Sequence, residues 1–272
     1  YRNFTAATSS PAKGDIKGIG MMMEGFGYNP VVQEFITDLV WSPEVKSLST
    51  WITDYATRRY GRYNEHAATA WKALLQSVYS YTISEESLIC YTPGEVTPPV
   101  SDQNPYGAVY NTAGLFKAAG EMLLAAEPLK DNENYQFDLV HIMREVLSLN
   151  ANRLFAAAKQ AADSGNIALF KEKSTAFIHL LSDMNTLLAT NKHFLLGKWI
   201  SDAKNWGHTK EEQRYYEWNA RDIVTLWEPF PDSHLRDYAS KQWNGLVGDF
   251  YLYRWKKYFS ALLSGLEAGQ PL

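Results

Sequence analysis

The sequence is almost without cysteine. Cys90 is the only one among 272 residues, which excludes an intrachain disulfide, a multi-cysteine metal centre and dithiol redox chemistry, and reads as an inert buried thiol. No apolar run is long enough to cross a bilayer, and the opening residues, YRNFTAATSS, lack a charged segment followed by an apolar one, so no membrane span or visible export signal is expected. Basic residues never cluster: 26 Lys and Arg against 30 Asp and Glu leave a net charge of -4, and without a basic patch a nucleic acid is not expected as partner. The six histidines, His66, His141, His179, His193, His208 and His234, show no His-x-x-x-His spacing, so no metal and no cofactor is expected. Asn3 begins the one Asn-x-Thr sequon, which favours a bacterial over a heavily glycosylated eukaryotic source.

What the chain has in abundance is apolar and aromatic surface. Hydrophobic residues make up 46% of it, enough for a sizeable core, and aromatics 14%, with 9 Trp and 17 Tyr. Such a count serves an aromatic core and also suits a protein that offers flat apolar faces to a sugar. From Trp41 onward helical periodicity dominates. Val45, Leu48, Trp51, Ile52, Tyr55 and Ala56 fall on one helical face ended by Gly61, and Trp71, Leu74, Leu75, Val78 and Tyr79 on another between Ala70 and Tyr81. The run Tyr91 to Gly107, with four prolines and two glycines, predicts a long loop. Helices are then expected over Thr112 to Ala126, Tyr135 to Ser164, Ile167 to Thr190, Phe194 to Asn205, Glu211 to Leu226 and Asp237 to Leu266.

The first forty residues differ. IKGIGMMM is a short apolar run with glycines that fits a buried strand; it ends at Glu24, followed by Gly25 and a turn. A helix restarts at NPVVQEF, with Asn29 as N-cap and Pro30 in the first turn. Strand, acid, turn, helix is the order of a βα unit, and catalytic side chains sit at that strand end in barrels. One such unit cannot bury both its faces, so the chain reads as part of a longer protein. By spacing alone Glu24 also fits an exposed acid, or one tied to a nearby Lys or Arg.

Five blocks, GIGMMMEGFGYNPVVQEF, RRYG, FLLGKW, YYEWNARDIVTLW and LRDYASKQWNGLVGDFYLYRW, in this order across nearly the whole chain, resemble the alpha-N-acetylglucosaminidase family of glycoside hydrolases. The resemblance implies a mainly α chain: residues 1–44 as the last βα unit of a (β/α)8 catalytic barrel whose other strands lie upstream, and residues 45–272 as an all-α domain packed on that barrel and completing its active-site pocket. It implies that Glu24 is the nucleophile of a retaining exo-enzyme that removes terminal α-linked N-acetylglucosamine. The acid/base glutamate matches no residue here, so the chain alone would be inactive. Trp227 and Tyr238 match aromatic positions that reach into the pocket, with Leu235 as a lesser apolar wall. Tyr110 and Asn111 match a pocket segment, although Val109 stands where the family has tryptophan. Core packing serves Trp227 and Tyr238 equally well on spacing alone. Arg58 and Arg59 would anchor the helical domain to the barrel. The implied partners are a glycan ending in N-acetylglucosamine and the upstream part of the same protein, and the implied location is exported, periplasmic or secreted, rather than lysosomal. The competing class is a non-catalytic helical carbohydrate-binding or scaffold module.

Overall fold

The computed structural model describes residues 2–22, 29–42, 47–81, 87–227 and 236–269. Its helices are α1 (Arg2–Ser9), α2 (Pro30–Trp41), α3 (Leu48–Tyr60), α4 (Glu65–Gln76), α5 (Thr112–Leu124), α6 (Ala126–Leu129), α7 (Glu133–Asp163), α8 (Ile167–Ala189), α9 (Leu196–Lys204), α10 (Lys210–Ile223) and α11 (Leu252–Glu267). Among the described residues there is no strand, only an isolated parallel bridge between Leu195 and Asn244. The all-α expectation for the main body of the chain is met. Local chemistry explains the starts of the helices. Asn64, Asn132 and Asn166 each accept a backbone N–H of the first turn of α4, α7 and α8, and Thr209 and Glu212 form a reciprocal capping box on α10. Gly61 closes α3 in the left-handed conformation, φ 72°, which glycine adopts without steric cost.

The core divides into two clusters joined by α7, a rod of 31 residues. Towards its N-terminal end Tyr135, Ile142 and Leu149 pack with α3, α4 and α5; towards its C-terminal end Ala151, Phe155 and Ala158 pack with α8 and α11. The second cluster centres on Trp255, which meets Phe177 at 4.7 Å and Phe155 at 5.3 Å between ring centroids. Such ring pairs add about 0.5–1.5 kcal/mol each beyond the area they bury.

Three expectations are corrected. Residues 16–22 form no strand in this chain, and Ile16, Ile19, Met21 and Met22 are exposed; a strand needs a neighbouring ladder for its backbone groups, and the reading of a last βα unit assigns those neighbours to the upstream part of the protein. Asn29 stands at the start of α2 with Pro30 after it, yet its side chain makes no cap bond. It accepts instead from the Tyr79 hydroxyl at 3.0 Å. The last helix does not begin at Asp237. Residues 237–245 are irregular, Asp237 and Ser240 have φ of 63° and 47°, and helical structure starts with a π-turn, Leu246–Tyr251, that leads into α11.

That π-turn is held by one side chain of α8. Asn185 Oδ1 accepts from the backbone N–H of Gly245 at 2.9 Å and of Gly248 at 3.0 Å. A Cβ on Gly248 would lie 2.7 Å from the Asn185 side chain, so only glycine allows this approach. Asn185→Ala leaves both amides without their acceptor and should lower stability by roughly 2 kcal/mol, since each buried unsatisfied group costs about 1–3 kcal/mol. Asn185→Asp, which keeps an oxygen there, should lose less. Denaturant unfolding of the two variants measures the difference, and equal stability of Asn185→Ala and the native chain would refute the role.

Candidate active-site pocket

α10 ends at Ile223 and the chain turns sharply. The Trp227 N–H donates to the Asp222 carbonyl at 2.7 Å, and Trp227 adopts φ 62°, an unfavourable conformation for a bulky residue. Backbone strain of this kind costs on the order of 1–3 kcal/mol and persists only where its surroundings over-determine it. The chain returns at Asp237, whose N–H donates to the Thr225 carbonyl at 2.8 Å and so closes the base of the excursion. Trp227 and Tyr238 consequently meet edge to face, ring centroids 5.2 Å apart at 71°. Tyr238 is 37% exposed. The two aromatics expected from the sequence are thus brought together, at an edge rather than in the core.

A cavity of about 630 Å³ lies between α4, α7 and the start of α2, and neither Trp227 nor Tyr238 is among the residues that line it. Tyr110, the third expected aromatic, lines it, and its hydroxyl bonds the Glu145 carboxylate at 2.8 Å. Val109 also lines it, whereas Asn111 is turned to its own helix and caps α5 by accepting from Ala113 N–H. Asn29 forms part of the wall, five residues beyond Glu24. Ser240 and Gln242 bring the far end of the Trp227–Tyr238 segment to the same cavity. Glu24 and Leu235 lie outside the described residues.

The polar side of the cavity comes from α7, where His141, Arg144, Glu145, Ser148 and Asn152 follow one another at helical spacing. Sequence inspection had missed this stripe; its signal is a run of polar residues spaced three or four apart on a helix whose flanks are apolar. Arg144 donates to Gln242 Oε1, and Gln242 Nε2 donates to Ser148 Oγ at 3.0 Å. Arg144 Nε, Asn152 Oδ1 and Ser87 Oγ, buried atoms of residues that line the cavity, have no hydrogen-bond partner among the described residues. A donor and two acceptors left open in one cavity match a ligand rich in hydroxyl and amide groups.

Beneath the cavity runs a buried relay. Trp71 Nε1 donates to the Tyr60 hydroxyl at 2.8 Å, which donates to Asp138 Oδ2 at 2.9 Å, and Arg59 binds both oxygens of the same carboxylate. Burial pushes the Asp138 carboxyl up from the ordinary range, and the Arg59 guanidinium and the Tyr60 hydroxyl pull it back. Arg59 is therefore an internal brace and not the barrel anchor expected of it. Arg58 does reach the N-terminal segment, bonding Glu34 of α2 at 2.7 Å.

A helical body with a polar-walled cavity along its longest helix defines the class as an all-α domain with a recess. Residues 51–272 match the alpha-N-acetylglucosaminidase (NAGLU) C-terminal domain, and the chain belongs to that family. It is 31% identical to human alpha-N-acetylglucosaminidase over 256 residues, covering 93% of this chain and 34% of that protein. Among solved structures, a family 89 glycoside hydrolase from Clostridium perfringens, with two glutamates replaced by glutamine and in complex with its substrate GlcNAc-alpha-1,4-galactose, superimposes with a TM-score of 0.81 at 29% identity; 89% of this chain and 28% of that one are covered. The Clostridium perfringens family 89 enzyme in complex with PUGNAc gives 0.80 at 28% identity, over 90% and 29% of the two chains. The chain therefore spans about a third of the length of these relatives. No helix among the described residues is long and apolar enough to cross a membrane, and none of these residues form a cluster of three or more His, Cys, Asp or Glu that could hold a metal.

His141 gives this cavity a pH signature. Burial, with the positive charges of Arg144 on its own helix and Arg59 on α3, pulls its pKa down from 6.5 to about 3. The folded state keeps the ring neutral while the unfolded chain takes up a proton, so its contribution is complete above pH 6.5 and is lost as pH falls from 6.5 towards 3, with a slope of at most about 1.4 kcal/mol per pH unit. His141→Gln should flatten the acid-side fall of the thermal midpoint between pH 6.5 and 4. Superimposable pH profiles of native and variant protein would remove His141 from this account.

Proposed function

We propose that this chain is the C-terminal part of a retaining exo-α-N-acetylglucosaminidase that hydrolyses terminal α-linked N-acetylglucosamine from glycans, in an exported, periplasmic or secreted, protein. The observation that carries this reading is a shared wall: Asn29, five residues after Glu24 in sequence, lines the same cavity as Tyr110 and as Ser240 from the segment bearing Tyr238. Membership of the alpha-N-acetylglucosaminidase C-terminal family supports it, and so does the bacterial relative whose complex holds a GlcNAc-alpha-1,4-galactose substrate. Residues 1–44 would belong to the end of the catalytic barrel and residues 45–272 to the helical domain that completes its pocket.

Glu24 is the nucleophile in this reading. Its carboxylate attacks the anomeric carbon from the face opposite the α-linked oxygen, while a second carboxylic acid about 5–5.5 Å away protonates the leaving oxygen. Water, deprotonated by that second group, then enters from the face the leaving oxygen vacated and displaces the Glu24 carboxylate, which restores the α configuration. The acid/base group comes from the upstream part of the protein. Trp227 offers its ring face to the C–H surface of the pyranose, Tyr238 and Tyr110 add hydroxyls, and Leu235 adds an apolar wall. None of these steps uses a metal or cofactor.

Two measurements test this. The 272-residue chain by itself should not turn over an aryl α-N-acetylglucosaminide, and robust activity would show that both carboxylates lie within it. In the complete protein Glu24→Ala should lower the rate on that substrate about 10^3-fold or more, a barrier increase of several kcal/mol. Added azide should partly restore turnover by entering from the vacated side and yield the β-glycosyl azide. Near-normal activity, or rescue giving only the α-azide, would overturn the assignment of Glu24.

A further inference from the structure

Arg254, in the first turn of α11, joins two segments that are distant from it in sequence, at Asp237 and at Cys90 and Tyr91, to the π-turn that precedes its own helix. Its Nη1 bonds both Asp237 oxygens at 2.8 and 2.9 Å, and its Nη2 donates to the carbonyls of Cys90 at 2.8 Å and Tyr91 at 3.3 Å. The guanidinium carbon lies 4.4 Å from the centre of the Phe250 ring and 5.1 Å from that of Tyr251, both in the π-turn. Asp237 is bound from the other sides as well. Its N–H donates to Thr225, two residues before Trp227, its Oδ2 accepts from the Thr92 hydroxyl at 3.2 Å, and its carbonyl accepts from the N–H and hydroxyl of Ser240. The pair is well buried, with side-chain exposures of 19% and 3%, and neither residue lines the cavity.

A buried ion pair is a poor way to gain stability, because its desolvation cost is of the same size as its attraction; well-packed apolar residues would often hold the same elements at least as firmly. What a planar guanidinium adds, with one nitrogen on the Asp237 carboxylate and the other on the Cys90 and Tyr91 carbonyls, is fixed geometry. Here that geometry is transmitted to a backbone in the left-handed region, at the residue immediately before Tyr238 and opposite the approach to Trp227. The π-turn contributes by offsetting the residues that follow it from the register of a continuous α-helix, which sets where Arg254 projects.

We propose that Arg254 and Asp237 are positioning residues for the saccharide-binding aromatic pair, acting through the backbone of Asp237 to hold Trp227 and Tyr238 against the sugar; this rests on the role given to those aromatics under Proposed function. Arg254 and Asp237 act on the pair through the backbone that carries it. Their effect is read only when the aromatic pair is present, which separates positioning from a general contribution to folding.

The test uses the complete protein and an aryl α-N-acetylglucosaminide. Arg254→Lys retains the charge and loses the fork; Asp237→Asn retains a side chain that tolerates positive φ and removes the charge. In the native background each should raise KM and lower kcat/KM about tenfold, a coupling size usual for contacting groups. In a background of Trp227→Asn with Tyr238→Ala the same two changes should alter kcat/KM less than about twofold. Thermal midpoints measured alongside identify a variant that does not fold, in which case its companion decides. Unchanged kcat/KM in the native background, or equal losses in both backgrounds, would overturn the positioning role while leaving the aromatic pair in place. If the Trp227→Asn, Tyr238→Ala background itself retains native kcat/KM, the aromatics do not bind the sugar, and the reading beneath this inference fails with it.

Discussion

Helix α7 has to satisfy three environments along one rod, and most of the architecture follows from that demand. At its N-terminal end its inner face meets the α3–α5 cluster, at its C-terminal end it meets α8 and α11, and between them one stripe of side chains faces neither. A helix turns by a fixed angle at each residue, so a single 31-residue element cannot present one apolar face to two differently placed neighbours without leaving a polar sector at the crossover. His141, Arg144, Glu145, Ser148 and Asn152 occupy that sector, and the cavity forms there.

Two buried ion pairs hold different kinds of backbone. Arg59 and Asp138 tie α3 to α7 with Tyr60 and Trp71 as further partners, so the carboxylate is almost completely satisfied within the helical body. Arg254 and Asp237 tie α11 to two irregular segments. The first pair lies among regular helices and keeps the floor of the cavity rigid; the second holds backbone that has no helix of its own to stabilise it. Removing one partner of either would strand a charge in a poorly solvated place, which is why such pairs are costly to break even when they contribute little net stability.

The helical body was legible because its signals are local. Asn64, Asn132 and Asn166 cap helices within three residues of themselves, and the apolar spacing of α3, α4, α7 and α8 repeats within a few turns. Prediction failed where a distant residue took over a local role. Asn29 looks like a cap, but Tyr79, fifty residues away, claims its oxygen. Asp237 looks like the start of a helix, but Arg254, Thr225 and Thr92 hold it in a conformation that no helix contains. The glycine-rich run 16–22 has the composition of a strand, and composition does not supply the ladder a strand requires.

The site divides along the same line. Sequence alone picked out Tyr110, Trp227 and Tyr238 as candidate pocket aromatics, because family blocks preserve residue type and order whatever the fold around them. It could not choose between core and pocket for Trp227 and Tyr238, since an aromatic on an apolar stripe reads alike in either place. Only the tertiary structure decided that these two rings meet outside both core clusters, that Tyr110 joins a cavity with Asn29, Ser240 and Gln242, and that the polar stripe of α7 completes it. The physical reason is that propensities, caps and periodicity act within a few residues of chain. A cavity exists only where separate elements fail to fill the space between them, and a buried ion pair only where folding brings together charges as far apart in sequence as Arg59 and Asp138.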